Sequence, residues 1–412
     1  MPGRNSHASA PRPVDPARIS AGAWAVLRTL LDAGFDACLV GGCVRDLVRG
    51  ARVQDFDVAT SAPPERALEL FPRAVPIGLR HGTVMVPTAD GPVDVTSFRA
   101  GARVEDDLAL RDLTVNAMAW DPRREALIDP FGGQADLAAR RLRAVGSAHA
   151  RFAEDPLRAL RAARLAAQLG FAVDPSIEPA MAEARPALRG VARERIRHEL
   201  EALLVAPHAD AGLRLLRRAG IEGDLAPGAA ADAPALVAAL EPRLPLRLAA
   251  WLRGSPAESI LLRLRFPRAL AQQVSRLLGL HPIEEQVDPQ RPVALRRLLR
   301  RADPESLAML FALREAELAR AGAAGAPARE RLEALRRSLE QVRSEGSLAL
   351  HRRDLALQGR EVMQILGCGP GRRVGQALEY LTEQVLEDPS RNDSRALRSL
   401  LEAWSRARGP AS

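Results

Sequence analysis

Ala37-Cys38-Leu39-Val40-Gly41-Gly42-Cys43-Val44-Arg45-Asp46, followed shortly by Asp55-Phe56-Asp57-Val58, is the stretch whose reading decides the fold. The first four residues read as a short buried strand, the Gly-Gly pair as a tight turn, the next few as a short helix, and Asp55 to Val58 as a second strand. On a strand, residues i and i+2 share a face, roughly 6–7 Å apart. Two carboxylates so placed repel each other unless a cation sits between them. A pair of Mg²⁺ ions about 3.5–4 Å apart fits that geometry and serves in-line displacement at phosphorus. A Gly-rich turn can bring backbone N–H groups against phosphates. Taken singly, the Asp-x-Asp pattern is equally what turn and cap positions favour.

The rest of the 412 residues is enough for two to four compact units. Its 47% hydrophobic content is mostly Ala and Leu, with 3% aromatics and the single Tyr380, which leans helical. The net charge is +8 and the chain has no lysine, so all 59 basic residues are arginine. GC-rich coding suffices to explain that choice, yet arginine also recognises phosphate bidentately and stacks on bases. A basic excess suits a polyanionic partner. Cys38, Cys43 and Cys368 form no CxxC pair, which argues against a disulfide framework or a zinc site. No apolar run reaches membrane-spanning length. The first residues lack the apolar core of a secretory signal. A cytoplasmic location is expected, with no membrane partner.

Working outward, residues 21–34 carry Ala23, Val26, Leu27, Leu30 and Leu31 at helical spacing. Strands are expected near 38–40, 55–58, 82–87, 93–98 and 126–128. Asp94 lies between Val93 and Val95, where an uncompensated acid is costly. It is either a third acid of the same site or an ordinary solvent-facing strand residue. Beyond His149 the strand signals nearly vanish and Ala/Leu/Arg helices follow, with 226–234 and 321–328 reading as loops or linkers. In Glu154-Asp155-Pro156-Leu157-Arg158-Ala159-Leu160-Arg161-Ala162-Ala163-Arg164, Pro156 suits a helix first turn. Arg158, Arg161 and Arg164 share one helical face. That is either a solvated face or, since three stacked guanidiniums repel, a seat for an anion.

The run Val40-Gly41-Gly42-Cys43-Val44-Arg45-Asp46 with Asp55-Phe56-Asp57-Val58-Ala59-Thr60 resembles the head of class II tRNA nucleotidyltransferases. These are the CCA-adding enzymes and their bacterial poly(A) polymerase relatives, in the polymerase-β superfamily. Further motifs follow in the family's order: Pro76-Ile77-Gly78-Leu79-Arg80-His81-Gly82-Thr83-Val84, Val93-Asp94-Val95-Thr96-Ser97-Phe98-Arg99, Arg111-Asp112-Leu113-Thr114-Val115-Asn116-Ala117-Met118 (similar to RRDFTxNA), and Asp129-Pro130-Phe131-Gly132-Gly133. The resemblance implies Asp55 and Asp57 as metal ligands for Mg²⁺, with Asp94 as the third catalytic acid, and Gly42 and Arg45 as contacts to the incoming nucleotide. It implies an α+β fold: a small mixed α/β nucleotidyltransferase head followed by an extended all-α neck, body and tail.

The 154–164 run resembles the family's EDxxR motif, a protein template for the incoming base. A carboxylate accepts from the exocyclic amine of C or A, and a guanidinium donates to an acceptor on the same edge. Asp155 and Arg158 are thereby assigned to base selection, and Arg161, Arg164 and Arg111 to nucleotide contact. Arg193-Glu194-Arg195-Ile196-Arg197-His198-Glu199-Leu200 resembles the next motif, read as structural; His198 and His81 receive no role. Gly369-Pro370-Gly371-Arg372-Arg373 resembles the family's tail, where Arg372 and Arg373 at a helix start would meet RNA phosphate.

The domains expected are a disordered tail over 1–20, the head over 21–148, a neck reading the base over 149–205, a helical body over 206–330 and a tRNA-binding tail over 331–412. The partners implied are tRNA, with CTP and ATP as substrates. Two departures stand out. Leu110 replaces the first Arg of the RRD motif. Only 100–106 separate Arg99 from Asp107, where full CCA-adding relatives carry a longer loop. The readings left open are full CCA addition, CC addition alone with a separate A-adding enzyme, poly(A) synthesis, and a non-catalytic tRNA-binding protein.

Overall fold

The computed structural model describes residues 14–78, 82–99, 103–344 and 350–408. The chain divides into two compact units. One holds the residues up to Ala238 together with Ile260–Phe266, and the other holds Ala239–Ser259 with the residues from Pro267 on.

The first unit opens with helix α1 (Ala21–Asp32). Ser20 caps it by accepting from the Ala23 N–H, and Ala23, Val26, Leu27 and Leu30 are its buried stripe. Strand β1 (Ala37–Val40) is buried at all four positions, as its unbroken apolar run requires. Helix α2 (Gly42–Val48), strand β2 (Phe56–Thr60), helix α3 (Pro64–Leu70) and strands β3 (Val75–Gly78), β4 (Thr83–Thr88) and β5 (Gly91–Ser97) follow. Helix α4 (Val104–Leu108), strands β6 (Ala119–Asp121) and β7 (Ala126–Ile128) and helix α5 (Gly133–Ala138) complete the head.

Seven strands form one mixed sheet in the order β3-β4-β5-β2-β1-β6-β7. Only β2 and β5 run parallel; every other pair is antiparallel. One face is core, carrying Phe56, Val58, Val84, Val86, Val93 and Val95, while Asp57, Met85, Asp94 and Thr96 alternate onto the other. Strands β3 and β6 were not expected. Three-residue β6 is too short to show a period, and β3 is an edge strand with exposed Val75 and Ile77.

Beyond the sheet come helices α6 (Ala148–Glu154), α7 (Leu157–Leu169), α8 (Ile177–Ala184), α9 (Arg193–Leu204) and α10 (Ala209–Arg218). A two-residue strand, Arg141–Leu142, at the end of the head pairs with Ala172–Val173, which lies where the strand signals nearly vanish. Gly170, in the left-handed region, ends α7. Gly212 lets α10 lie directly on α7: a Cβ there would sit 2.6 Å from the Ala163 carbonyl oxygen.

Three expectations change. The disordered 1–20 tail gives way early: Pro16–Arg18 form a turn of 3₁₀ helix, and Val14 and Ile19 are buried; residues 1–13 lie outside the described residues. The 321–328 segment is no linker. A 3₁₀ turn, Gly322–Gly325, joins the helices Pro304–Ala321 and Ala326–Ser344, because an Ala-rich sequence prefers helix even between glycines. The 330/331 boundary therefore falls inside a helix.

The second unit is helical throughout its described residues, and one of its cores gathers Leu357, Val362, Leu381, Leu397, Leu401 and Trp404. Among the described residues, no helix is long and apolar enough to cross a membrane.

Candidate active site

Strand β1 ends where Gly41 turns the chain at φ +77, delivering Gly42 and Arg45 onto α2. A side chain at Gly41 is strained by that backbone angle, and an added Cβ would lie 2.6 Å from Arg111 Nη1 and displace that guanidinium. Arg45 is tied down on both sides. Its Nε and Nη2 donate to Asp46 at 3.0 and 2.8 Å, and its Nη1 donates to the Asn116 side-chain oxygen at 2.8 Å.

Across β2 and β5 the register sets Asp57 beside Asp94 on adjacent parallel strands, with backbones about 4.8 Å apart. Asp55 lies one residue before β2 and is exposed. Burial pushes the Asp57 carboxyl up to about 6; the Arg111 guanidinium pulls it down, and the charges of Asp94 and Asp55 push it up further. Asp94 is likewise raised, by burial and then by Asp55. Carboxylates that raise one another in this way are relieved by a divalent cation, and an all-oxygen donor set suits a hard one. Among the described residues no three His, Cys, Asp or Glu side chains already stand as a closed metal cluster. Asp55 and Asp57 are the carboxylates here that could hold part of such an ion's coordination shell.

Asp55 and Asp57 border a cavity of about 760 Å³. Gly42, Arg45, Asp55, Asp57, Arg111, Arg158, Arg161 and Arg164, eight of the residues expected here, line it together, along with Asn116, Asp112, Thr83, Thr96 and Arg99. Asp94 and Asp155 are not among the lining residues. The arginine row of α7 does face the cavity, but carboxylates from other elements already temper its repulsion. Glu199 of α9 accepts from Arg161 Nε at 3.3 Å and Arg164 Nε at 2.6 Å, and Asp112 lies 3.8 Å from Arg161. Arg158 donates to the Leu110 carbonyl at 2.8 Å and to Glu154 at 2.9 Å. The Leu110 position thus serves through its backbone. Asp155 accepts from Leu157 N–H and from Arg195 at 2.9 Å. Burial would raise its pKa, but these hydrogen bonds and the Arg195 charge hold it below the usual carboxylate range.

Several contributors were not singled out from the sequence. Asp107, 1% exposed, joins Arg99 (2.8 Å) to Arg111 (3.3 Å). Asn116 holds Arg45 from 71 residues away, and Glu199 bridges two arginines of another helix. The signal available was an acid or amide inside an arginine-rich motif, without its partner. The 193–200 motif, read as structural, does tie helices together: Arg195 to Asp155, Glu199 to α7, and Arg197 to the Arg265 carbonyl at 2.6 Å. Residues 79–81, with His81, lie outside the described residues. In the second unit a helix begins at Arg372, after Gly369-Pro370-Gly371; Arg372 is exposed and Arg373 donates to Ser405 at 3.3 Å.

The family description "Poly A polymerase head domain" matches residues 37–143, and "Probable RNA and SrmB-binding site of polymerase A" matches 170–232. The CCA-adding enzyme of Geobacillus stearothermophilus is 33% identical over 411 residues, covering 94% of this chain and 97% of that protein. A CC-adding tRNA nucleotidyltransferase of Shouchella clausii is 42% identical over 194 residues, 47% of this chain and 51% of its own. The crystal structure of the Bacillus stearothermophilus CCA-adding enzyme in complex with CTP superposes with a TM-score of 0.73 at 30% identity, covering 94% of this chain and 98% of that one. Sequence and fold agree with these relatives over nearly the whole chain, and the chain belongs to the CCA-adding family of tRNA nucleotidyltransferases.

Proposed function

We propose that this enzyme rebuilds the tRNA 3′ end, adding CCA from CTP and ATP without a nucleic-acid template. The observation that carries the reading is the side-by-side register of Asp57 and Asp94 at the edge of an arginine-lined cavity. Arg45, Arg111, Arg161 and Arg164 bind and orient the triphosphate, an electrostatic match for its negative charge. The tRNA 3′-oxygen attacks the α-phosphorus, the bond to the β-phosphate oxygen breaks, and pyrophosphate leaves. Asp94 accepts the hydroxyl proton. A divalent ion held by Asp55 and Asp57, Mg²⁺ in this proposal, supplies positive charge at the reacting phosphate. Asp155 and Arg158 read the base: the carboxylate accepts from the amine of C or A, and U or G presents a carbonyl there instead. Base reading then competes with Arg195 for Asp155.

A second reading, CC addition alone with a separate A-adding enzyme, is favoured by the short span between Arg99 and Asp107. Val104–Leu108 forms helix there. The S. clausii relative, named as CC-adding, points the same way. One assay separates the readings: purified protein, Mg²⁺ and labelled CTP or ATP, with tRNA lacking CCA, tRNA ending in CC, or unrelated RNA. CTP followed by ATP incorporation is the expected result. CTP without ATP selects the CC-only reading, and long A tracts on unrelated RNA overturn both.

A further inference from the structure

The site face of the sheet continues past its carboxylates. Asp57 pairs with Asp94, Asp94 with Met85, and Met85 with Val75, so one row crosses β2, β5, β4 and β3 on one face. Thr96 and Thr83, the next row, line the arginine cavity; Met85 and Val75 do not. Beyond Asp94 the row is apolar. Met85 is half-buried, Val75 is 46% exposed, and Ile77, at the irregularity in the β3–β4 register, is 54% exposed; Pro87 and Pro92 lie open one step along β4 and β5. Val75 and Ile77 are among the few large hydrophobic side chains left this exposed. A strip without charge does not bind a phosphate backbone. It suits the flat face of an unstacked base, which packs on apolar and thioether surfaces.

We infer that the Met85–Val75–Ile77 shelf seats the terminal base of the tRNA acceptor strand, so that its 3′-hydroxyl reaches Asp94. The inference rests on the tRNA-extending reading above. The triphosphate is provided for by the guanidiniums of the cavity; the nucleophile has to arrive beside Asp94, and the shelf is the surface continuous with it.

The test uses the full-length chain and a tRNA transcript that stops just before CCA. Val75→Ser combined with Ile77→Ser alters exposed side chains, and an unchanged melting temperature shows that the variant folds. The KM for tRNA is expected to rise about tenfold, the size of one lost stacking contact, with the KM for CTP unchanged. In the wild-type protein, a 4-thiouridine placed as the last nucleotide of the transcript is expected to cross-link to the peptide carrying Val75 and Ile77 or to Met85. An unchanged tRNA KM in the folded variant, or cross-links only elsewhere, overturns the shelf while wild-type extension leaves the tRNA reading standing. A wild-type protein that extends no tRNA overturns the reading beneath it. A fall in solution mass of the variant, with tRNA KM unchanged, assigns the strip to a second copy pairing along β3 and overturns the proposal.

Discussion

Asp57 is the residue on which the proposed chemistry turns, and its position explains both its cost and its proposed use. Burial and two acidic neighbours raise it, an unfavourable arrangement that a bound cation would relieve. Asp57→Ala is expected to lower CTP incorporation by about a thousandfold, the scale of losing a central electrostatic contact, while the melting temperature holds or rises; steady-state kinetics and calorimetry together check this. Asp55 and Asp57 stood out in the sequence because a turn and a strand fix them within a few residues, and the family resemblance added Gly42 and Arg45. Asp94 entered only as a candidate third acid, and its place beside Asp57 is set by the pairing of β5 with β2. Asn116, Asp107 and Glu199 were not legible, because their roles exist only once distant segments meet. Asn116→Ala removes the acceptor of Arg45 Nη1. It is expected to raise the KM for CTP about tenfold, on the scale of one charge-assisted hydrogen bond, with a smaller change in kcat, measured at saturating tRNA.

At the scale of elements, the register of β2 on β5 and the packing of α7 set the site. Helix α7 and its arginine face were legible from Pro156 and the spacing of Arg158, Arg161 and Arg164, but the carboxylates that temper that face were not, since they come from α9 and from Asp112. The edge strand β3 escaped because its side chains at Val75, Pro76 and Ile77 are all exposed, and β6 because three residues carry no pattern. Two glycines hold elements close. An added Cβ at Gly212 would strike the Ala163 carbonyl at 2.6 Å, and one at Gly133 would strike the Thr114 carbonyl at 2.5 Å. Gly212→Ala is expected to destabilise the first unit by about 1–3 kcal/mol, read as an earlier midpoint in denaturant.

The whole molecule is two compact units, and the second carries a strongly depressed carboxyl. Burial alone would raise the Glu317 carboxyl, but the hydrogen bond and charge of His281, with Arg253, hold it at about 2 against 4.5 for the free side chain. Arg314 donates to the same carboxylate at 3.1 Å. A depressed carboxyl stabilises the fold above its unfolded value and loses that contribution as protons bind. Melting temperature is therefore expected to fall as pH drops from about 4.5 toward 2, and Glu317→Gln to be less stable at neutral pH with a flatter profile across that window. The two-part organisation, head first and helices after, was legible from composition because strand-forming residues concentrate before position 150. The boundary between units was not, since it follows packing between helices of similar Ala/Leu/Arg content.

The central claim is that Asp57 and its neighbours transfer nucleotides to the tRNA 3′ end. The most direct measurement is incorporation of labelled CTP into tRNA lacking CCA, comparing wild type with Asp57→Asn, with and without divalent metal. The account predicts addition of two C residues by the wild type only when metal is present, and a loss of about a thousandfold in the variant. Wild-type rates in Asp57→Asn, or addition that persists after chelation, would contradict it.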